Sequence, residues 1–154
     1  MTERLIVYDS YFGNTEKIAQ AIGEILEDAA VKKVHDLEQT DLDGVQILIV
    51  GSPTRAFRPS PAIMNFIKRL TADQLQGVKA AAFDTRIQKN QDIPGILRLM
   101  INLFGYADVK IAKVLSKAGA NLALKSTGFG VKDTEGPLVD GELARAKEWA
   151  EKIM

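Results

Sequence analysis

Three short runs carry the residue types that can hold a ligand. The first is Asp9-Ser10-Tyr11-Phe12-Gly13-Asn14-Thr15. Serine and threonine hydroxyls, an asparagine amide and a row of backbone N–H groups at a helix start are the donors a phosphate group accepts from. Gly13 removes the β-carbon where the chain approaches an anion or takes a positive φ. The run has neither the lysine of GxxxxGK[ST] nor the glycines of GxGxxG. Its alternative reading is a plain cap, with Asn14 or Thr15 opening a helix. The second run is Ser52-Pro53-Thr54-Arg55-Ala56-Phe57. Proline stiffens it, and the Phe57 ring either stacks on a flat ligand or folds back onto the following helix. The third, Asp84-Thr85-Arg86, offers polar groups to the edge of a heterocycle, or closes on itself through an Asp84–Arg86 ion pair.

Positioning these runs takes an alternation of short apolar strands and amphipathic helices, the pattern of an α/β protein with a mostly parallel sheet. Leu5 to Tyr8 reads as a central strand, apolar on both faces. Ile18, Ile22, Ile25 and Ala29 recur at helical spacing after it. Val31 to Leu37 reads as a more polar strand near an edge, and Val45 to Val50 as the most apolar strand of the chain. Ser60-Pro61 opens a helix whose apolar face is Ile63, Phe66, Ile67 and Leu70. Val78 to Phe83 is a fourth strand. Ala107 to Lys117 is a helix carrying Val109, Ile111, Ala112 and Leu115, and it stops before Gly119. Leu122 to Thr127 is a fifth strand, with Phe129 and Val131 continuing it past a Gly128 bulge. The last helix, about 141–153, packs Leu143, Ala146, Trp149 and Ala150. Five strands between helices make a three-layer sandwich, and residues 1–154 read as one domain. All three candidate runs then follow strands, where open α/β sheets bind ligands.

Composition narrows the chemistry. With 20 basic and 20 acidic side chains the formal net charge is zero, so the field and basic stripe of a nucleic-acid binder are missing. There is no cysteine, which removes thiolate metal sites and cysteine nucleophiles. The one histidine, His35, cannot build a multi-histidine site, and Glu135, Asp140 and Glu142 read as a turn and a helix start. No side chain is therefore nominated as a catalyst or a metal ligand. The N-terminal residues do not read as a signal peptide, and no apolar stretch reaches the ~20 residues that span a bilayer, so the expected place is the cytoplasm.

The run from Val7 to Ala19 resembles the phosphate loop of flavodoxins. Gly51-Ser52-Pro53-Thr54 resembles their second flavin loop, and Phe83-Asp84-Thr85-Arg86 the third loop of a flavodoxin-domain subgroup; 132–138 and 141–146 also look like that subgroup. The resemblance implies strand order 2-1-3-4-5 with FMN at the switch point between the first and third strands. It implies that Ser10, Tyr11, Phe12, Gly13, Asn14 and Thr15 hold the FMN phosphate. Ser52 to Phe57 and Asp84 to Arg86 would then flank the ring. The implied function is FMN-dependent electron transfer with a redox partner protein, a reductase or an acceptor. One alternative is an FMN-dependent oxidoreductase of quinone or protoporphyrinogen type using residues 87–104. A cofactor-free interaction module is another.

Two features depart from that family. Thr54-Arg55-Ala56-Phe57 lacks the glycine that many flavodoxins have there, and Asp84-Thr85-Arg86-Ile87 offers no aromatic ring. Arg55, Arg58 and Arg86 would set positive charge at the flavin edge, raise its potential and favour an anionic partner, unless they face water or pair with Asp84. The segment 87–104 is unusually apolar and reads as an extra helix. It either packs over the sheet edge and flavin rim or offers a dimer or peripheral contact through 93–104.

Overall fold

The computed structural model describes residues 3–87 and 95–154. Its first strand, β1 (Arg4–Tyr8), lies between β2 (Ala30–Lys33) and β3 (Ile47–Pro53); β4 (Lys79–Ile87) follows, and β5 (Asn121–Leu122) closes the order β2-β1-β3-β4-β5. β6 (Thr127–Val131) also pairs with β4, and all these pairings are parallel.

Side chains alternate between two cores because a strand sends successive residues to opposite faces. Leu5, Val7, Leu48, Val50, Ala80 and Ala82 meet Ile63 and Ile67 of α2 (Pro61–Lys68) and Ile111 and Leu115 of α5 (Ala107–Lys117). On the other face Ile6, Ile49, Ala81 and Phe83 meet Ile18 and Ile22 of α1 (Asn14–Ile25) and Ala146 and Ala150 of α6 (Glu142–Glu151). Phe83, Phe129 and Trp149 pack edge to face there, with centroids 6.0–6.2 Å apart. The expected three-layer α/β sandwich and its strand order are present.

Several boundaries differ from the sequence reading. α1 ends at Ile25, because the chain turns through Asp28 at φ 60° and leaves Ala29 beyond the helix. β2 stops at Lys33, opposite Tyr8, the last residue of β1; with nothing left to pair with, Val34–Asp36 winds into a 3₁₀ turn where a strand was expected. β3 runs on to Pro53 and β4 to Ile87, since Ser52 and Pro53 pair with Asp84 and Thr85, and Phe83 to Ile87 pair with β6. Asp84-Thr85-Arg86 is thus strand, not loop. The expected fifth strand with a bulge is two collinear segments. β5 lies beside the start of β4 and β6 beside its end, while the Lys125 carbonyl between them accepts from Trp149 Nε1.

Two helix faces also differ. Val109 and Leu143, expected in the core, are exposed. The first turn of α6 is fastened instead by polar contacts, Glu142 accepting from the Gly130 N–H and Arg145 donating to the Gly128 carbonyl. α3 (Ala72–Leu75) is a single turn. The expected extra helix is α4 (Gly95–Phe104). Ile96 and Leu103 are 73% and 70% exposed and Leu99 is 56% exposed, so these side chains do not pack over the sheet edge. Ile93 lies outside the described residues.

Candidate functional site

β1, β3, β4 and β6 end side by side, and their carboxyl ends enclose a cleft of about 280 Å³. Ser10, Tyr11, Phe12, Asn14 and Thr15 line it from β1, Pro53, Thr54, Arg55 and Ala56 from β3, and Thr85, Arg86 and Ile87 from β4. Val131 and Thr134 complete the wall from β6.

The floor is the N-terminus of α1. Gly13 caps it at φ 91°, with open space where a β-carbon would stand, and its carbonyl accepts the first intrahelical bond from Lys17. The N–H groups of Asn14, Thr15 and Glu16 precede that bond and are the orphan donors every helix start presents. Together with the helix dipole they make a positive-ended site without a formal charge. The approach to it is fixed by hydrogen bonds. The Ser10 N–H donates to Asp9 Oδ1, the Gly13 N–H to Ser10 Oγ, and the Asp9 N–H to the Gly51 carbonyl. Thr15 and Thr85 join hydroxyls 2.7 Å apart, buried, which ties the floor to β4. Asn14 Nδ2 donates to the Glu135 carbonyl and so holds the loop after β6 over the cleft. Gly136 is needed there: at φ 105°, a β-carbon would stand 2.7 Å from Asn14 Oδ1.

The segment after β3 forms a two-residue turn. Arg55 and Arg58 exchange backbone hydrogen bonds of 2.9 Å, and Ala56 and Phe57 at the tip have φ 49° and 65°. A turn with two positive φ values favours Asn-Gly, so an Ala-Phe tip is strained. The turn is held by the Thr54 N–H donating to the Thr85 carbonyl, the Ala107 N–H donating to Thr54 Oγ1, and Lys110 Nζ donating to the Phe57 carbonyl. Arg55 places its guanidinium over the Tyr11 and Phe12 rings, 4.7 and 5.4 Å from their centroids.

Beside the cleft lies a buried ionic cluster. Arg86 grips Asp84 with Nε and Nη2, both at 2.7 Å, and Nη2 stands 3.0 Å from Asp108 Oδ1. That oxygen has the charge of Arg86 close by but no directed hydrogen bond. The guanidinium lies flat on Tyr106, 3.7 Å from its centroid, and passes where a β-carbon on Gly128 would collide with it. Burial pushes the Asp84 carboxyl up to about 6, against the pull of Arg86. Burial also works against the charge of Arg86, yet the two carboxylates hold its pKa above the ordinary value. With two acids and one base, the fully ionised cluster carries one uncompensated negative charge.

The structure thus brings most of the sequence-predicted residues to one cleft and leaves four off its wall. Gly13 acts through the backbone as the helix cap. Ser52 is fully buried, its Oγ accepting from the Ser60 N–H and donating to the Pro53 carbonyl, so it joins β3 to α2. Phe57, at the tip of the turn with φ 65°, does not line the cleft, and Asp84 is buried beneath Arg86. The Asp84–Arg86 pair foreseen as an alternative is present, so the charge of Arg86 is not free. Sequence reasoning missed Ile87, Val131 and Thr134 as wall residues. The fifth strand position also ends at this edge, and the Gly136-Pro137 turn after it marked a further loop to consider.

Comparison with known proteins adds three findings. The family model described as Flavodoxin domain matches residues 5–94, more than half of the chain. A search of curated proteins returned no match. Among solved structures, a flavodoxin from the domain Archaea is 21% identical, with TM-score 0.74 over 97% of this chain and 94% of that one. Oxidised Flavodoxin 2 from Bacillus cereus is 20% identical, with TM-score 0.75 over 99% and 97%. The flavodoxin, WrbA-like protein from Agrobacterium tumefaciens is 19% identical, with TM-score 0.74 over 99% and 95%. At these identities the structural likeness establishes a shared fold.

Proposed function

Because the chain belongs to the flavodoxin domain family, we propose that it carries FMN in the cleft and exchanges electrons with a partner protein. When bound, FMN supplies the redox chemistry, and the protein supplies binding, orientation and electrostatics. The observation that carries this reading is the cleft floor. The orphan N–H groups of Asn14 and Thr15 and the Ser10 hydroxyl meet at one helix N-terminus, as the donor set for a phosphate ester requires. Thr54, Thr85 and the backbone from Pro53 to Ala56 then face the ring. Tyr11, Phe12 and Ile87 shield it from water while remaining half-exposed themselves. A cleft of about 280 Å³ is at the small end for ligand sites, which commonly run from ~300 Å³ upward. A flavin held here keeps one edge outside, where electrons can pass.

A second reading has one observation in its favour. α4 follows the wall residue Ile87 in sequence and exposes Ile96, Leu99 and Leu103, an apolar face available to an organic substrate of quinone or porphyrinogen type. Steady-state turnover with such a compound, rather than simple exchange with a reductase, separates the two.

The test of the leading reading is addition of FMN to the apoprotein. Quenching of flavin fluorescence at one equivalent, with a rise in melting temperature, is the expected result. Unchanged fluorescence and melting temperature would leave a cofactor-free module.

A further inference from the structure

The net charge of the chain is zero, so no global field steers a partner. The charge at the cleft mouth, in contrast, is concentrated. Arg55 and Arg58 form a directly opposed pair across the turn after β3, which sends both side chains to the same face of the hairpin. Like charges so placed repel, and the turn between them is already strained at Ala56 and Phe57. Lys110 joins them from α5; burial and then the charge of Arg58 lower its pKa. Among the described residues none of these three cations has a carboxylate partner in an ion pair. Arg86, the other mouth arginine, differs in being matched by Asp84 and Asp108. An arrangement that holds two arginines in register with no carboxylate paired to either among the described residues is relieved by an anionic group placed between them.

The same mouth has the composition of an interface centre. Tyr11 and Phe12 are each 46% exposed and Ile87 is 53% exposed, and all three line the cleft. Aromatic and arginine side chains are the types enriched where proteins meet. Arg55, stacked on both rings, joins the apolar centre to the basic lip. Two strands further along the sheet, the loop after β6 exposes Lys132, which pairs with Asp140, and the two acids Asp133 and Glu135. The mouth is therefore polarised, basic beside β3 and acidic beside β6.

We propose that this mouth is the docking face for an acidic partner protein, whose carboxylates sit on the Arg55–Arg58–Lys110 lip while its apolar surface covers Tyr11, Phe12 and Ile87. The proposal deepens the electron-transfer reading and rests on it for the partner's purpose, but the charge pattern is independent of the flavin. Charge complementarity of this kind acts chiefly on association rate and salt dependence, and it fixes the orientation of the partner.

The test uses a hexaglutamate peptide as the probe and the full chain labelled with ¹⁵N, with and without added FMN. At low salt, hexaglutamate is expected to shift the amides of residues 54–58 and 107–110, and the shifts vanish in high salt. Arg58→Glu, at an exposed residue outside the cleft wall, is expected to weaken peptide binding by at least roughly threefold. FMN uptake is unchanged in that variant. Hexalysine is expected to shift residues 133–135 instead. Hexaglutamate shifts elsewhere on the surface, or no loss of binding in Arg58→Glu, would overturn the proposal. Peptide binding at the lip by a protein that takes up no FMN would keep the acidic docking face while removing the flavin reading, so the two fail separately.

Discussion

At the scale of single residues, several side chains of the cleft and the ionic cluster beside it already have their partners inside the protein. Thr15 and Thr85 share one buried hydrogen bond of 2.7 Å, so changing either to valine strands the other hydroxyl. An unsatisfied buried hydroxyl costs about 1–3 kcal/mol, whereas replacing both removes the polar pair together. Urea unfolding of the apoproteins is therefore expected to show Thr15→Val and Thr85→Val each destabilised by about 1–2 kcal/mol. The double variant falls short of their sum by roughly 1 kcal/mol; strict additivity would show that the hydroxyls do not interact. The ionic cluster makes a second residue-scale claim. Asp84 has its pKa raised by burial to about 6, above the value of an unfolded aspartate near 3.8, so the folded protein binds more protons between those values. The contribution of Asp84 to stability then falls as pH rises from about 4 to about 6, by up to roughly 3 kcal/mol. Asp84→Asn is expected to flatten that part of the stability–pH curve, as measured by thermal unfolding across the range. A slope unchanged in the variant would assign it to another group. Residue type alone left Arg86 open between free charge at the flavin edge and a pair with Asp84, and the structure shows the pair, with Asp108 as a second acid beside it.

At the scale of elements, the turn after β3 is where local preference yields most to its surroundings. Ala56 and Phe57 hold positive φ because the Thr54, Lys110 and Arg55–Arg58 bonds fix the turn around them. A left-handed conformation costs a non-glycine residue about 1–2 kcal/mol, part of which glycine returns as lost chain freedom. Ala56→Gly is expected to stabilise the protein by roughly 0.5–1 kcal/mol, raising the melting temperature by about 1–4 °C. A lower melting temperature would mean that the alanine methyl group makes a contact worth more than the strain. The sequence made β1 and β3 legible because both are apolar on both faces, and it marked α2 and α5 by a Ser-Pro start and a Gly119 stop. It hid the end of β4, since Asp84-Thr85-Arg86 reads as a polar loop until the Asp84–Arg86 and Thr15–Thr85 pairs are seen to satisfy those side chains inside the sheet. It hid the end of β2 for the converse reason: Val34 to Leu37 is strand-like, but β1 has already left the sheet to form the cleft floor. The break between β5 and β6 depends on Trp149 capturing the Lys125 carbonyl, a contact 24 residues apart that no local pattern carries. α4 was legible as a helix from its periodicity, while the exposure of Ile96, Leu99 and Leu103 was not.

At the scale of the molecule, the parallel sheet delivers four strand ends to one edge and so assembles donors from distant parts of the chain around a single helix N-terminus. No described helix is long and apolar enough to cross a membrane. Whether the assembly is a ligand site or only a helix start is decided by the phosphate. On the proposed reading, the N–H groups of Asn14 and Thr15 with the Ser10 hydroxyl would supply charge-assisted hydrogen bonds worth about 1.5–3 kcal/mol each, so two of them alone would amount to roughly 3 kcal/mol or more. That difference corresponds to at least about 100-fold in affinity. Riboflavin, which has the same ring and no phosphate, is the control. Calorimetric titration of the apoprotein with FMN and with riboflavin measures this contrast directly. The account expects FMN to bind at one equivalent and at least about 100 times more tightly than riboflavin. Equal affinities, or no heat from either ligand, would contradict it.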